Sequence, residues 1–77
     1  MKLGVYAIFD RLAEESGPLF TAKNDAVAVR SFRIATAESK AEEHMLYIVG
    51  EYDTDQVSVS SVDKREIVVA VRQVGDA

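Results

Sequence analysis

Four cationic side chains lie close together in a chain that is otherwise acidic. Between residues 20 and 40 the cations are Lys23, Arg30, Arg33 and Lys40, against the two carboxylates Asp25 and Glu38. Such cations can follow the phosphates of a single nucleic-acid strand while aromatic rings stack on its bases. We therefore treat these four cations as candidate nucleic-acid-binding residues. The alternatives are a solvated helix face or a contact with a partner protein.

The overall charge limits what this cationic stretch can do. The formal net charge is −4, and acidic residues outnumber basic ones from residue 41 onward. Strong non-specific binding to duplex DNA needs many neutralised phosphates, so the composition argues against it. Strand alternation also predicts that Tyr47 shares a face with Glu51 and Asp53, whose carboxylates would repel a phosphate. The remaining possibility is weak binding of a single strand by an electrically two-sided molecule.

Glu51 and Asp53 form a second candidate, because two residues apart in a strand their carboxylates share a face. Such a pair can bind a divalent cation or act as acid and base. The alternative is a solvated strand end that continues into the acidic residue Asp55. No second cluster of ligands accompanies the pair, so the sequence favours the solvated strand end.

The other reactive side chains lack the neighbours that catalysis needs. His44 follows two glutamates and has no partner histidine or cysteine, which favours a surface position. Ser58, Ser60 and Ser61 fall in an alternating segment without a nucleophile-elbow motif. The chain has no cysteine, and its four glycines form no phosphate-binding loop. We therefore expect no catalytic residue, no metal site and no cofactor.

Hydrophobic periodicity predicts an α+β fold. The expected elements are five strands at Leu3–Asp10, Leu19–Ala22, Met45–Asp53, Val57–Val62 and Ile67–Val71, and one helix at Asn24–Ser39. Asn24 is a suitable N-cap for the helix, and Asp25 suits its first turn. Residues 1–77 should form a single domain with a four- to five-stranded, mainly antiparallel sheet. One helix would pack on one face, in the order β-β-α-β-β-β.

One helix can cover only one face of this sheet, although three of the strands carry apolar residues on both faces. The pattern predicts that Tyr6, Ile8, Tyr47 and Val49 lie on the uncovered face. Apolar patches of this kind mark interfaces in small proteins. We therefore expect a homodimer or larger oligomer that packs sheet against sheet or edge to edge.

The ends of the chain and its apolar runs indicate the cellular environment. No apolar run approaches the roughly 20 residues needed to span a bilayer. The segment that begins at Met1 has strand-like alternation rather than the pattern of a secretory signal. The expectation is a cytoplasmic protein without a membrane partner.

Three segments together resemble a known family. They are Lys2-x-x-Val5-Tyr6-x-Ile8-x-Asp10, Pro18-x-Phe20-x-x-x-Asn24-Asp25-x-x-Ala28-x-Arg30-x-Phe32 and Leu46-Tyr47-x-x-Gly50-Glu51-Tyr52-Asp53. Their order and spacing resemble the small nonstructural protein of gokushovirus-type microviruses, which are bacteriophages with single-stranded DNA genomes. The resemblance covers about the first two-thirds of the chain. It departs after Asp53, where the family has a less regular tail.

The resemblance implies a nonstructural phage protein in the host cytoplasm, often described as DNA-binding and linked to genome replication or packaging. Together with the local positive charge, it leads us to expect a non-enzymatic accessory protein. This protein would oligomerise and bind single-stranded DNA weakly through Lys23, Arg30, Arg33 and Lys40. The alternative is a protein-interaction module that modulates a host or phage replication protein through a sheet face or edge, without binding nucleic acid.

Overall fold

The computed structural model describes residues 1–37 and 43–69, and within them five strands and one helix are present. The elements in chain order are β1 (Lys2–Asp10), β2 (Glu15–Ser16), β3 (Phe20–Ala22), α1 (Asp25–Ala35), β4 (His44–Asp53) and β5 (Ser58–Ile67). All strand pairs are antiparallel. The α+β prediction of one helix and an antiparallel sheet is therefore confirmed.

The central strand β1 has different neighbours on its two sides. The long strand β4 pairs with β1 along its whole length, and β5 follows β4 to give the order β2-β1-β4-β5. On the other side, β2 pairs with the end of β1 and β3 pairs with residues nearer its start. One edge of the sheet is thus short and interrupted, and the opposite edge is the ten-residue strand β5.

Apolar side chains between α1 and the sheet form the core. Its buried members are Tyr6, Ala22, Ala28, Phe32, Leu46 and Ile67, with Ile8, Phe20 and Ile48 packed against them. Burial of these side chains from water is the main force that holds the helix on the sheet. The rings of Tyr6 and Phe20 stack within this layer, with centroids 5.7 Å apart.

The expectation that Tyr6 and Ile8 lie on the uncovered face is wrong. Tyr6 is only 1% exposed and Ile8 packs against the core, so both lie under α1. The Tyr6 ring lies over Gly4, where an added Cβ would come within 2.6 Å of the ring, and its hydroxyl donates a 2.8 Å hydrogen bond to Asp25. A tyrosine can therefore be buried here, because its polar end has a partner at the start of the helix.

Helix α1 begins at the predicted N-cap. The Asn24 side chain accepts a 3.0 Å hydrogen bond from the Val27 N–H, which supplies a partner for one unsatisfied donor of the first turn. The helix ends at Ala35, four residues earlier than predicted, where the Thr36 hydroxyl donates to the Phe32 carbonyl. The last two residues of the predicted helix, 38 and 39, lie outside the described residues.

The prediction for the C-terminal strands is wrong. Residues 63–66, which lie between the predicted strands Val57–Val62 and Ile67–Val71, continue the single strand β5, and Val68 beyond it is 85% exposed. As an edge strand, β5 keeps polar side chains in solvent while its backbone pairs with β4, so a charged run need not break it. The predicted strand end at residues 70 and 71 lies outside the described residues.

The β4–β5 turn contains one residue in an unfavourable backbone conformation. Asp53 accepts hydrogen bonds from the N–H groups of Asp55 and Gln56, which shapes the start of the turn. Val57 then closes the turn with φ at 51°, in the left-handed region that a β-branched residue rarely adopts. The backbone at Val57 is therefore strained.

Replacing Val57 with Gly should relieve this strain. We expect Val57→Gly to raise the free energy of unfolding by about 0.5–1 kcal/mol, because glycine adopts positive φ without steric cost but loses more entropy on folding. Urea denaturation measures the change. Val59→Gly is the matched control, since Val59 lies in strand β5, and it should lower stability. A loss of stability in both variants would contradict the prediction.

Replacing Tyr6 with Phe should remove the hydroxyl link between β1 and α1. Burial, and then the hydrogen bond and negative charge of Asp25, raise the pKa of Tyr6 to about 12. Folding therefore favours the neutral phenol, so this stabilisation is present below about pH 10 and is lost as the pH rises towards 12. At pH 7 we expect Tyr6→Phe to lower the free energy of unfolding by about 1–2 kcal/mol.

The pH dependence separates this link from a general packing effect. Urea denaturation from pH 8 to about 11.5 should show a smaller alkaline loss of stability in Tyr6→Phe than in the wild type. Tyr52→Phe is the control, since Tyr52 is a half-buried tyrosine of β4, and it should retain the alkaline loss. Equal alkaline losses in wild type and Tyr6→Phe would show that Tyr6 does not carry the effect.

Candidate nucleic-acid interface

The start of α1 holds the one carboxylate between residues 20 and 37, Asp25. One of its oxygens accepts from the Tyr6 hydroxyl at 2.8 Å, and the other lies 3.6 Å from the Arg65 guanidinium. Asp25 also lies in the first helical turn, where the partial positive charge of the helix stabilises an anion. The negative charge of Asp25 is therefore compensated locally by Arg65 and by the start of the helix.

Three of the four predicted nucleic-acid-binding residues can be placed. Lys23 precedes the N-cap, and Arg30 and Arg33 lie on α1, with all three side chains exposed. Arg30 and Arg33 are three residues apart and thus neighbours on the helix surface, and Lys23 lies beyond the N-terminal end of the helix. The fourth residue, Lys40, lies outside the described residues.

The structure pairs the cations and carboxylates of this region in a way the sequence did not predict. At the acidic end of β4, Glu51 lies 3.5 Å from Lys2 and not beside a cation of α1. Among residues 1–37 and 43–69, Arg30 forms no ion pair. Exposed Ile34 lies beside Arg30 and Arg33, so the outer side of α1 combines two guanidinium groups with an apolar side chain.

The face of the sheet opposite α1 is not covered by any element within the described part of the chain. It carries Leu3, Val5, Ala7 and Phe9 of β1 and Met45, Tyr47 and Tyr52 of β4, according to the alternation and register of the two strands. Of the four predicted interface residues, Tyr47 lies on this face, whereas Tyr6 and Ile8 lie beneath the helix. Val49, the fourth, occupies an irregular position of β4.

A β-bulge at Val49 changes the face on which the acidic end of β4 lies. Val5 pairs with Gly50 and Tyr6 pairs with Ile48, so Val49 is an extra residue without an opposite partner on β1. Beyond this point the alternation is inverted, and Glu51 lies opposite Gly4 on the side that the helix covers. The prediction that Glu51 and Asp53 share a face with Tyr47 is therefore wrong.

Gly50 was the sequence signal for this bulge. A Cβ at Gly50 would come within 2.9 Å of the Ser60 carbonyl oxygen, so the strands approach too closely there for any side chain. The same inversion places Tyr52 opposite Leu3, on the face that carries Tyr47. Tyr52 was not singled out from the sequence, because strict alternation assigns it to the other face.

The residues that were candidates for metal binding and catalysis make contacts that stabilise the fold, or they lie exposed on β5. Glu51 lies near Lys2, and Asp53 accepts the backbone hydrogen bonds of the β4–β5 turn. Within residues 1–37 and 43–69, no group of three histidine, aspartate or glutamate side chains is arranged to hold a metal ion. Ser58, Ser60 and Ser61 are exposed residues of β5.

His44 lies at the opposite end of the sheet from the β4–β5 turn. It pairs with Asp10 across β1 and β4, and its Nε2 lies 3.8 Å from the Asp10 carboxylate. The pKa of Asp10 is lowered by hydrogen bonds from the N–H groups of Ala13 and Leu12 and by the charge of His44. The Asp10 carboxylate therefore stabilises the turn that follows β1, and His44 is half-buried beside it rather than on the surface, as the sequence suggested.

Among the described residues, no helix is long and apolar enough to cross a membrane.

Three comparisons with known proteins bear on the identity of the chain. Comparison with curated proteins and with solved structures gives no match. A protein-family model described as "Phage ORF5 protein" matches residues 3–74, which includes the C-terminal third where the resemblance from sequence departs. The chain therefore belongs to the Phage ORF5 protein family and is a phage protein.

Proposed function

We propose that this phage protein is a nonstructural accessory factor that binds single-stranded DNA weakly and takes part in genome replication or packaging. Phage ORF5 proteins are not a known enzyme family, and we propose a non-enzymatic role in the cytoplasm of the host. We propose that the phage is a gokushovirus-type microvirus, in line with the resemblance seen in the sequence. The observation that carries the proposal is the outer side of α1, where Lys23, Arg30 and Arg33 are exposed.

The electrostatics of α1 support a phosphate-binding surface. Asp25, the one carboxylate between residues 20 and 37, is engaged by Tyr6 and Arg65, whereas Arg30 has no ion-pair partner among the described residues. A phosphate would therefore compete with no internal ion pair at Arg30. Three cations per chain, with Lys40 as a fourth from the sequence, give only a few phosphate contacts. The affinity should accordingly be low, and it should fall with salt only in proportion to these few contacts.

Reversing the charge of Arg30 and Arg33 tests the proposal. Fluorescence anisotropy at low salt should show that the wild type binds a labelled oligothymidylate and that Arg30→Glu/Arg33→Glu loses at least tenfold in affinity. The reason is that two phosphate contacts are replaced by repulsion. The control is Lys2→Glu/Arg11→Glu, which changes the net charge equally at exposed positions away from α1.

The control separates the helix face from the overall charge. If both double variants lose affinity equally, binding depends on net charge and not on α1. No binding by the wild type, or unchanged binding by Arg30→Glu/Arg33→Glu, would refute the proposed function.

We further propose that the protein self-associates through the free edge of β5. The strand is ten residues long, nine of its side chains are exposed, and within residues 1–37 and 43–69 its backbone pairs only with β4. An edge strand of this length presents unpaired N–H and C=O groups to a second β5. Val59 and Val62 add apolar side chains to this edge. Self-association would bring a second set of α1 cations into one particle.

A proline in β5 should weaken this association. Val62 lies between the two registered stretches of the β4–β5 pairing and is not registered opposite any β4 residue, so Val62→Pro should disturb that pairing little. Sedimentation velocity at high micromolar concentration should show a dimer or larger species for the wild type and for Val62→Thr, and a monomer for Val62→Pro. A wild-type monomer would end the proposal. Thermal unfolding of the variants checks that they remain folded.

A second candidate function is a protein-interaction module that modulates a host or phage replication protein without binding DNA. The half-buried apolar and aromatic side chains opposite α1 favour it, because such a face can dock a partner. The anisotropy experiment discriminates the two candidates, since this second function predicts no affinity for oligothymidylate at any salt concentration.

A further inference from the structure

The uncovered sheet face is rich in aromatic side chains. Phe9 lies on β1 opposite Met45, and Tyr47 and Tyr52 follow on β4, all three rings being half-buried. The Tyr47 hydroxyl donates to the Met45 sulfur at 3.5 Å, which fixes the ring on this face. Rings held rigidly on an open antiparallel sheet can stack on unpaired bases.

The charges nearest the Tyr47 ring are one cation and one carboxylate, both on β5. The Val49 bulge places Glu51 on the helix-covered side, away from Tyr47 and Tyr52. On β5, Lys64 lies with its ammonium 4.9 Å above the centre of the Tyr47 ring, and Glu66 is the cross-strand partner of Tyr47. A cation–π contact at an exposed site is weak. A nucleic-acid base can therefore replace the Lys64 ammonium above the Tyr47 ring, and the ammonium can then contact a phosphate.

The burial pattern argues against a second copy of the sheet on this face. Val5 and Ala7, in the middle of the face, are only 6% and 7% exposed, although no helix of the described residues covers them. A second sheet would therefore bury little further area at these two side chains. A sheet sandwich depends on interdigitating central side chains, whereas stacking needs only the ring faces.

We propose that the uncovered face binds the bases of single-stranded DNA by stacking on Tyr47, Tyr52 and Phe9, with Lys64 on the phosphates. The inference rests on the proposed DNA binding and assigns the base contacts to the sheet, whereas α1 supplies contacts to the phosphates. Stacking on aromatic rings is sequence-tolerant, because every base presents a flat π face.

An abasic oligonucleotide separates base contacts from phosphate contacts. Anisotropy should show that the wild type binds a labelled oligothymidylate about tenfold more tightly than an abasic oligonucleotide of equal length, because only the first offers bases for stacking. Tyr47→Leu and Tyr52→Leu keep an apolar side chain but remove the ring, so each should reduce this preference. Tyr47→Phe and Tyr52→Phe keep the ring and should retain it.

Each outcome decides the inference. If the wild type binds both oligonucleotides equally and Arg30→Glu/Arg33→Glu abolishes binding, the proposed function stands and base stacking is overturned. If the wild type binds neither oligonucleotide, both the proposed function and base stacking are refuted. If the leucine variants change the sedimentation coefficient but not the affinity for oligothymidylate, the face contacts a second copy and the inference is overturned. Loss of the base preference in the leucine variants alone supports it.

Discussion

The hydrogen bond between the Tyr6 hydroxyl and Asp25 is the contact on which the arrangement of the molecule depends. It joins the middle of the central strand to the first turn of the only helix in the described residues, and Arg65 of β5 adds a third element. A hydrophobic layer alone does not specify the position of a helix along a sheet, because burial is not directional. The directional bond at Tyr6 adds this specificity, because it joins the first turn of α1 to one residue of β1.

Once one face is occupied, the bulge at Val49 determines the chemistry of the other. One extra residue in β4 inverts the alternation, so the carboxylate of Glu51 moves to the helix side and the ring of Tyr52 moves to the uncovered face. The close approach of Gly50 to the Ser60 carbonyl shows why only glycine fits beside the bulge. A strict alternation would have mixed the rings and carboxylates of β4, whereas the bulge places them on opposite faces of this strand.

The parts of the fold that depend on nearby residues alone could be predicted from the sequence. Asn24 starts the helix because its side chain satisfies a backbone donor, and Phe32 is buried because it lies on the apolar stripe. The predictions were wrong where a long-range contact decides the outcome. Tyr6 has a polar end that suits either face until Asp25 is placed beside it, and the charged run of β5 gives no sign that the backbone of β4 pairs with it.

The distribution of charge explains how an acidic protein can present a surface to a polyanion. The cations of α1 lie on one side of the molecule, and the main carboxylate among them, Asp25, is turned towards Tyr6 and Arg65. The field near α1 is therefore set by local groups, since charges more than a Debye length away are largely screened. Few cations per chain give low affinity, and association of chains through β5 would multiply the contacts along one strand without any new chemistry. Weak, salt-sensitive and multivalent binding is thus the behaviour that this charge pattern supports best.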